Sequence, residues 1–174
     1  MSPALGGSVQ DAFVHLSEGR AEALSEVWQS LSQPLHNYAF ALTGSDEEAE
    51  DVVGDVFLKL ARRPGCLRRA RNPRAYLFAM VRNAVRSRWR RLRRFVDRAE
   101  VCSDPAEGPD AVSLAVREAV LALPAPQREC VVLHIWGDLT FEEIGQLTRV
   151  SPNTAASRYR YALEKLRVVM QDEP

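Results

Sequence analysis

Between residues 62 and 98 the chain carries fourteen arginines and a single acid, Asp97. A block of one sign this dense repels itself unless a polyanion neutralises it, so nucleic acid is the first partner it implies. The flanks have the opposite character: residues 1–61 hold two basic against ten acidic side chains, and residues 99–174 hold seven against twelve. The formal net charge of zero therefore conceals an acidic–basic–acidic order. The alternative is that the arginines pair with acidic helices of the same chain. Exposed pairs stabilise little, however, and would not require such segregation.

A length of 174 residues with 46% hydrophobic side chains supports one ordinary domain or two small ones and excludes a large multi-domain enzyme. Apolar residues recur with a helical rather than an alternating period, without internal repeats, which predicts an all-α fold. No window approaches the roughly 18 consecutive apolar residues of a membrane span, and the N-terminus lacks the basic-then-apolar run of a secretory signal. The expectation is a cytoplasmic protein with no membrane partner. Cys66, Cys102 and Cys130 are odd in number and far apart, and His15, His36 and His134 are scattered. No disulfide, zinc site, other metal or cofactor is expected.

Helices are expected over 9–18 and 21–42, with Pro34 bending or breaking the second and Thr43-Gly44 ending it. Ser45 and Glu48 form a capping box for a helix running to about Arg62, where Pro64-Gly65 stops it. Asn72 caps, and Pro73 opens, a long helix to about Arg94. Residues 100–110, acidic, interrupted by Pro and Gly and nearly free of apolar side chains, read as a flexible linker. Beyond it Asp110 caps a helix over 111–122, and Pro126 opens another that ends at Gly137. Thr140 and Glu143 box the start of a short helix to about Thr148, and Ser151-Pro152 open the last, to about Met170. Two small helical domains, 8–98 and 111–170, are thus joined by an acidic linker, 99–110.

At about 100° per residue, the long helix gathers Arg82, Asn83, Arg86, Arg90 and Arg93 on one arc of about 100°. Leu77, Met80, Val81, Ala84, Val85, Trp89 and Leu92 fall opposite, as a core-facing stripe does. Arg88 lies inside that apolar arc and must snorkel or pair. Residues 139–167 have the layout of a helix-turn-helix: Ile144 faces inward, Gly145 lets the helices approach, and Val150 fills the turn. On its second helix Ala155, Tyr159, Ala162, Leu163, Leu166 and Val169 make a buried face, while Asn153, Ser157, Arg160 and Arg167 point the other way. Arginine can take guanine bidentately and asparagine adenine, while serine and the helix start can hold phosphate. The acidic cluster from Asp46 to Asp55 gains no histidine, and its first carboxylates suit the positive end of a helix dipole. With no nucleophile–base pair and no phosphate loop, an enzyme is not expected.

Taken together, the two halves resemble the bacterial sigma factors of RNA polymerase, in the compact extracytoplasmic-function type that keeps only the second and fourth conserved regions. EEAEDVVGDVFLKL (47–60) is similar to the family's polymerase-binding helix, and NPRAYLFAMVRNAVRSRWRR (72–91) to its promoter-melting helix. LALPAPQRECVVLHIWGDLTFEEIGQLTRVSPNTAASRYRYALEKLR (121–167) is similar to region four almost end to end. The resemblance implies that Asp51, Val52, Asp55 and Phe57 dock on core RNA polymerase. It implies that Arg82, Asn83, Arg86, Arg90 and Arg93 bind the minus-ten element, with Asn83 helping to hold an unstacked base of the non-template strand. Ser151, Asn153, Thr154, Ser157, Arg158 and Arg160 would then read the minus-thirty-five duplex. A dedicated anti-sigma factor, common in the family, is a further expected partner. An amide for a base edge beside several arginines for phosphates meets the physical needs of strand melting.

The sequence departs from the family pattern at several positions. Gly54 stands where the family usually has glutamine, which removes a polar contact and costs the helix up to about 1 kcal/mol relative to alanine. Tyr76 replaces the usual tryptophan. Arg149 occupies a turn position where glycine is common, so either it adopts positive φ or the turn differs. Ala155-Ala156 replace valine-lysine and delete a DNA-contacting cation. A stand-alone helix-turn-helix regulator is the competing reading, and it would leave the arginine-rich helix without a role.

Overall fold

The computed structural model describes residues 9–95 and 111–171, and among them all regular structure is helical. The first half consists of α1 (Val9–Ser17), α2 (Ala23–Thr43), α3 (Asp46–Arg62), a 3₁₀ helix (Pro64–Arg69) and α4 (Pro73–Phe95). The second consists of α5 (Ala111–Ala122), α6 (Ala125–Ile135), α7 (Phe141–Thr148) and α8 (Pro152–Gln171). The linker 99–110 and the Asp110 cap lie outside the described residues.

Most boundaries follow local chemistry. Gly44, at φ 75°, closes α2 by donating its N–H to the Phe40 carbonyl over 2.7 Å, the left-handed cap that glycine adopts without strain. Ser45 Oγ accepts the Glu48 N–H at 3.3 Å and starts α3. Asn72 Oδ1 accepts the Ala75 N–H at 3.1 Å and starts α4. At α7 both arms of the Thr140–Glu143 capping box form. One expectation needs correction: Pro34 does not break α2, which continues from Ala23 to Thr43. α3 ends at Arg62, before Pro64, as expected, and the segment that follows forms a 3₁₀ turn that buries Leu67.

The core is organised around α2, whose Val27, Leu31, Leu35 and Tyr38 form a fully buried stripe at helical spacing. α2 packs against α1, α3 and α4 of its own half and against α6 of the other. One continuous apolar cluster therefore runs from Phe13 and Leu60 through Leu77 and Phe78 to Cys130, Leu133 and Ile144. The two halves do not stand apart but share this core.

Candidate nucleic-acid interface

The polar face of α4 is only partly the platform its periodicity predicts. Asn83, Arg86 and Arg90 are exposed, as expected. Arg82 is not: it retains 8% of its accessible surface and is held by Glu129 of α6, Nε to Oε1 at 2.5 Å and Nη2 to Oε2 at 3.2 Å. Tyr38, fully buried, donates its hydroxyl to the same Oε1 at 2.7 Å. Burial works against the charge of Arg82, yet the hydrogen bonds and charge of Glu129 hold its pKa above the ordinary value. Burial and then the same carboxylate push the Tyr38 phenol well upward, so it remains a donor. The helical pattern missed this placement because the partner lies 47 residues away, on another helix. The Arg93 side chain, and that of Leu92 on the apolar stripe, lie outside the described residues.

On the apolar face, Leu77, Val81 and Val85 are buried, whereas Trp89, expected in the core, is 43% exposed. Arg88 resolves its awkward position by pairing across to α3, with Asp51 at 3.3 Å and Asp55 at 3.1 Å. Part of the arginine block thus pairs within the chain, as the alternative reading had it, while Arg86 and Arg90 face solvent.

α3 divides its four candidate docking residues evenly. Asp51 and Asp55 are exposed, but Val52 and Phe57 are buried in the core and cannot touch a partner directly. Phe57 instead packs edge-on against Trp28 of α2, centroids 4.6 Å apart. Leu58, one turn beyond Asp55, is exposed on the same face, and Trp28, against Phe57, is about half exposed. The i, i+4, i+7 spacing of Asp51, Asp55 and Leu58 was the available signal for that face. A Cβ added at Gly54 would meet no atom within 4 Å, so nothing requires glycine there. Gly54→Ala is expected to raise the unfolding midpoint of the free protein by about 2–4 °C, read by thermal denaturation.

In the second half, α7 and α8 form the predicted helix-turn-helix. Ile144 and Gly145 are buried, and Arg149 adopts φ 62°, ψ 46°, so the turn keeps its shape through a left-handed arginine. Ala155 and Ala162 are fully buried on the inner side of α8, with Tyr159, Leu163 and Leu166 partly so; the Val169 side chain lies outside the described residues. Ser151, Asn153, Thr154 and Arg160 are exposed, with Ser157 partly exposed beside them. Ser151 Oγ accepts the Thr154 N–H at 3.1 Å and lies 2.8 Å from its hydroxyl, so both residues also close the start of α8. Arg158 departs from this group: it turns toward the first half and lines a groove with Arg86, Trp89 and Arg128.

Further polar contacts bind the halves together. Arg117 of α5 grips Asp46 at the start of α3 with Nη2 at 2.6 and 2.7 Å from its two oxygens, and lies 3.9 Å above the Phe40 ring. Arg74 donates to the Gly137 carbonyl at 2.6 Å. Asn72, while capping α4, donates through Nδ2 to Glu143 Oε1. Glu143 Oε2 meanwhile accepts the Thr140 N–H at 2.8 Å. Burial raises the Glu143 pKa, but the donors Thr140 and Asn72 outweigh it and hold the carboxyl below its ordinary range.

Two family models match the chain in order: Sigma-70 region 2 over residues 27–95, and Sigma-70, region 4 over residues 113–166. The chain belongs to the sigma-70 family. Its relatives place it in the extracytoplasmic-function branch. It is 29% identical to ECF RNA polymerase sigma factor SigL of Mycobacterium tuberculosis over 147 residues, covering 79% of this chain and 83% of the relative. It is 27% identical to ECF RNA polymerase sigma factor EcfG of Rhodopseudomonas palustris over 142 residues, 78% of each chain. Among solved structures it resembles the sigma factor RpoE of Bartonella quintana, solved with the anti-sigma factor NepR. That match has a TM-score of 0.65 at 24% identity, over 86% of this chain and 99% of the other. CnrH, solved with the cytosolic domain of CnrY, gives a TM-score of 0.65 at 20% identity, over 95% and 98%. As a sigma factor the protein joins core RNA polymerase and directs initiation at specific promoters. Among the described residues no helix is long and apolar enough to cross a membrane, and no group of three His, Cys, Asp or Glu side chains is placed to hold a metal.

Proposed function

We propose a division of labour among three surfaces. The exposed side of α3, with Asp51 and Asp55 beside Leu58, docks on core polymerase. The exposed side of α4 serves the minus-ten element, Arg86 and Arg90 screening phosphates and Asn83 taking an unstacked base by its edge. The start of α8 enters the minus-thirty-five major groove, with Asn153, Ser157 and Arg160 toward the bases and Ser151 and Thr154 near the backbone. Val52 and Phe57 act only by holding α3 in place. The protein has no catalytic activity of its own, acts in the cytoplasm, and is held in reserve by an anti-sigma factor. The two functional modules are residues 8–98 and 111–170.

The observation that carries this reading is the exposure of Asn83, Arg86 and Arg90 together on one helix of the region 2 match. Elements centred at minus ten and minus thirty-five are about 25 base pairs apart, or about 85 Å at 3.4 Å per pair. Arg86 and Arg158 line one groove, so engaging both elements requires the halves to separate, and that separation releases Arg82 to join the α4 surface. The test is open-promoter mapping with reconstituted holoenzyme. Arg86→Glu with Arg90→Glu should reduce bubble formation at least tenfold while leaving core binding intact. Undiminished opening would refute the assignment of α4.

A further inference from the structure

The groove between the halves has a composition that its neighbours do not neutralise. Its walls include Arg86 and Trp89 from α4, Arg128 from α6 and Arg158 from α8, beside the Arg82–Glu129 pair, and it encloses about 310 Å³. Glu129 is already engaged by Arg82 and Tyr38. Among the described residues no carboxylate lies within ion-pair distance of Arg86, Arg128 or Arg158. Arg128 is the most telling of the three. One nitrogen donates to the Leu121 carbonyl at 3.2 Å, but its Nε is buried without an acceptor. Burial alone lowers its pKa from the ordinary value, and no acid offsets that cost. A partly buried cation without a counter-charge, on one groove with two more, marks a place that an anion stabilises.

Three features narrow the class of anion. Guanidiniums arranged around a small volume match the several oxygens of a phosphoryl group, to which they can donate in forked pairs. The exposed ring of Trp89 on the same wall offers a surface on which a planar ring can stack. The volume lies at the lower end of the roughly 300–1,000 Å³ typical of small-molecule sites.

We propose that this groove binds a nucleoside phosphate, its phosphoryl oxygens on Arg86, Arg128 and Arg158 and its base against Trp89. Because both halves supply the walls, the ligand binds only while they are packed together, and by linkage it favours that arrangement. Building on the surface assignments above, Arg86 is then occupied and, with the halves held together, the 85 Å or so between promoter elements cannot be spanned. The ligand is a brake on promoter engagement.

The test uses the full chain, titrated with ADP, inorganic pyrophosphate and adenosine in turn, without divalent metal and at constant ionic strength, with the heat of binding in a calorimeter reporting occupancy. ADP is expected to bind at least tenfold more tightly than either fragment. R128Q and W89L, each checked for unchanged helical content, should each weaken ADP at least tenfold; two variants guard against one failing to fold. Equal affinities for ADP and pyrophosphate, or undiminished affinity in both variants, would overturn the proposal. With core polymerase and no ADP, R128Q should initiate as the unmodified protein does, and should resist ADP concentrations that slow the latter. Lost initiation by R128Q without ADP would assign the groove to the DNA path and overturn the proposal. Should the α4 charge reversal leave promoter opening intact while ADP binds as stated, the surface assignments fail and the ligand site stands.

Discussion

Glu129→Ala is expected to loosen the packing of the two halves more than any other single change to a side chain on their shared seam. It strips Arg82 of its carboxylate in a place that leaves that residue 8% exposed. Removing one partner of a buried ion pair costs about 3–5 kcal/mol. Tyr38 loses its acceptor as well, a further cost of about 1–3 kcal/mol. The chain has an escape, because separating the halves returns Arg82 to water, so the measured loss is capped by the free energy that holds them together. The expected result is amide exchange along α2 and α6 faster by about a hundredfold, with each half retaining its helices. Arg82→Met and Glu129→Leu combined with Tyr38→Phe should restore slow exchange, since apolar side chains of similar volume replace such an ion pair at little cost and no buried hydroxyl is left without an acceptor. Unchanged exchange in Glu129→Ala would show that the shared apolar cluster alone holds the seam.

The second large effect is expected at Gly145. A Cβ added there would lie 2.7 Å from the Val150 carbonyl oxygen and 3.3 Å from Pro152 N, both backbone atoms of the turn. Neither can swing aside as a side chain does. Gly145→Ala must therefore push α8 away from α7, at a cost of about 1–3 kcal/mol or more. On the proposed assignment, the orientation of α8 sets Asn153 and Arg160 against a duplex, so the functional loss should exceed the loss of stability. Minus-thirty-five-dependent initiation should fall at least tenfold, while transcription from a promoter that relies on its minus-ten element is largely kept. Equal losses on both promoters would mean that the whole fold, and not the angle between two helices, had been damaged.

What could be read from the residues alone was local. Ser45, Asn72 and Thr140 each cap the helix their neighbours predict. The inner faces of α4 and α8 follow because a stripe of Leu, Val and Ala at helical spacing has one way to turn. What could not be read depends on a second element. Arg82 occupies the same arc as Arg86 and Arg90, and no count along its own helix reveals that Glu129 of α6 comes to meet it. Arg88, by the same count, had no account until Asp51 and Asp55 were brought opposite it. Val52 and Phe57 sit in a stretch similar to a docking helix, but similarity of a stretch does not separate residues that shape a surface from those that form it. Trp89 was placed inward because it is large and apolar, and the groove beside α6 leaves it half open.

Asn72 and Glu143 meet across the seam, and each also closes the first turn of its own helix. Asn72 uses its oxygen for α4 and offers only its spare amide nitrogen to the other half. Glu143 uses one oxygen for α7 and offers only the other. The junction is therefore assembled from surplus valence, and water can take over both vacated positions when it opens. Neither helix start has to unravel if the halves part, so the separation proposed for promoter engagement asks for no refolding of α4 or α7.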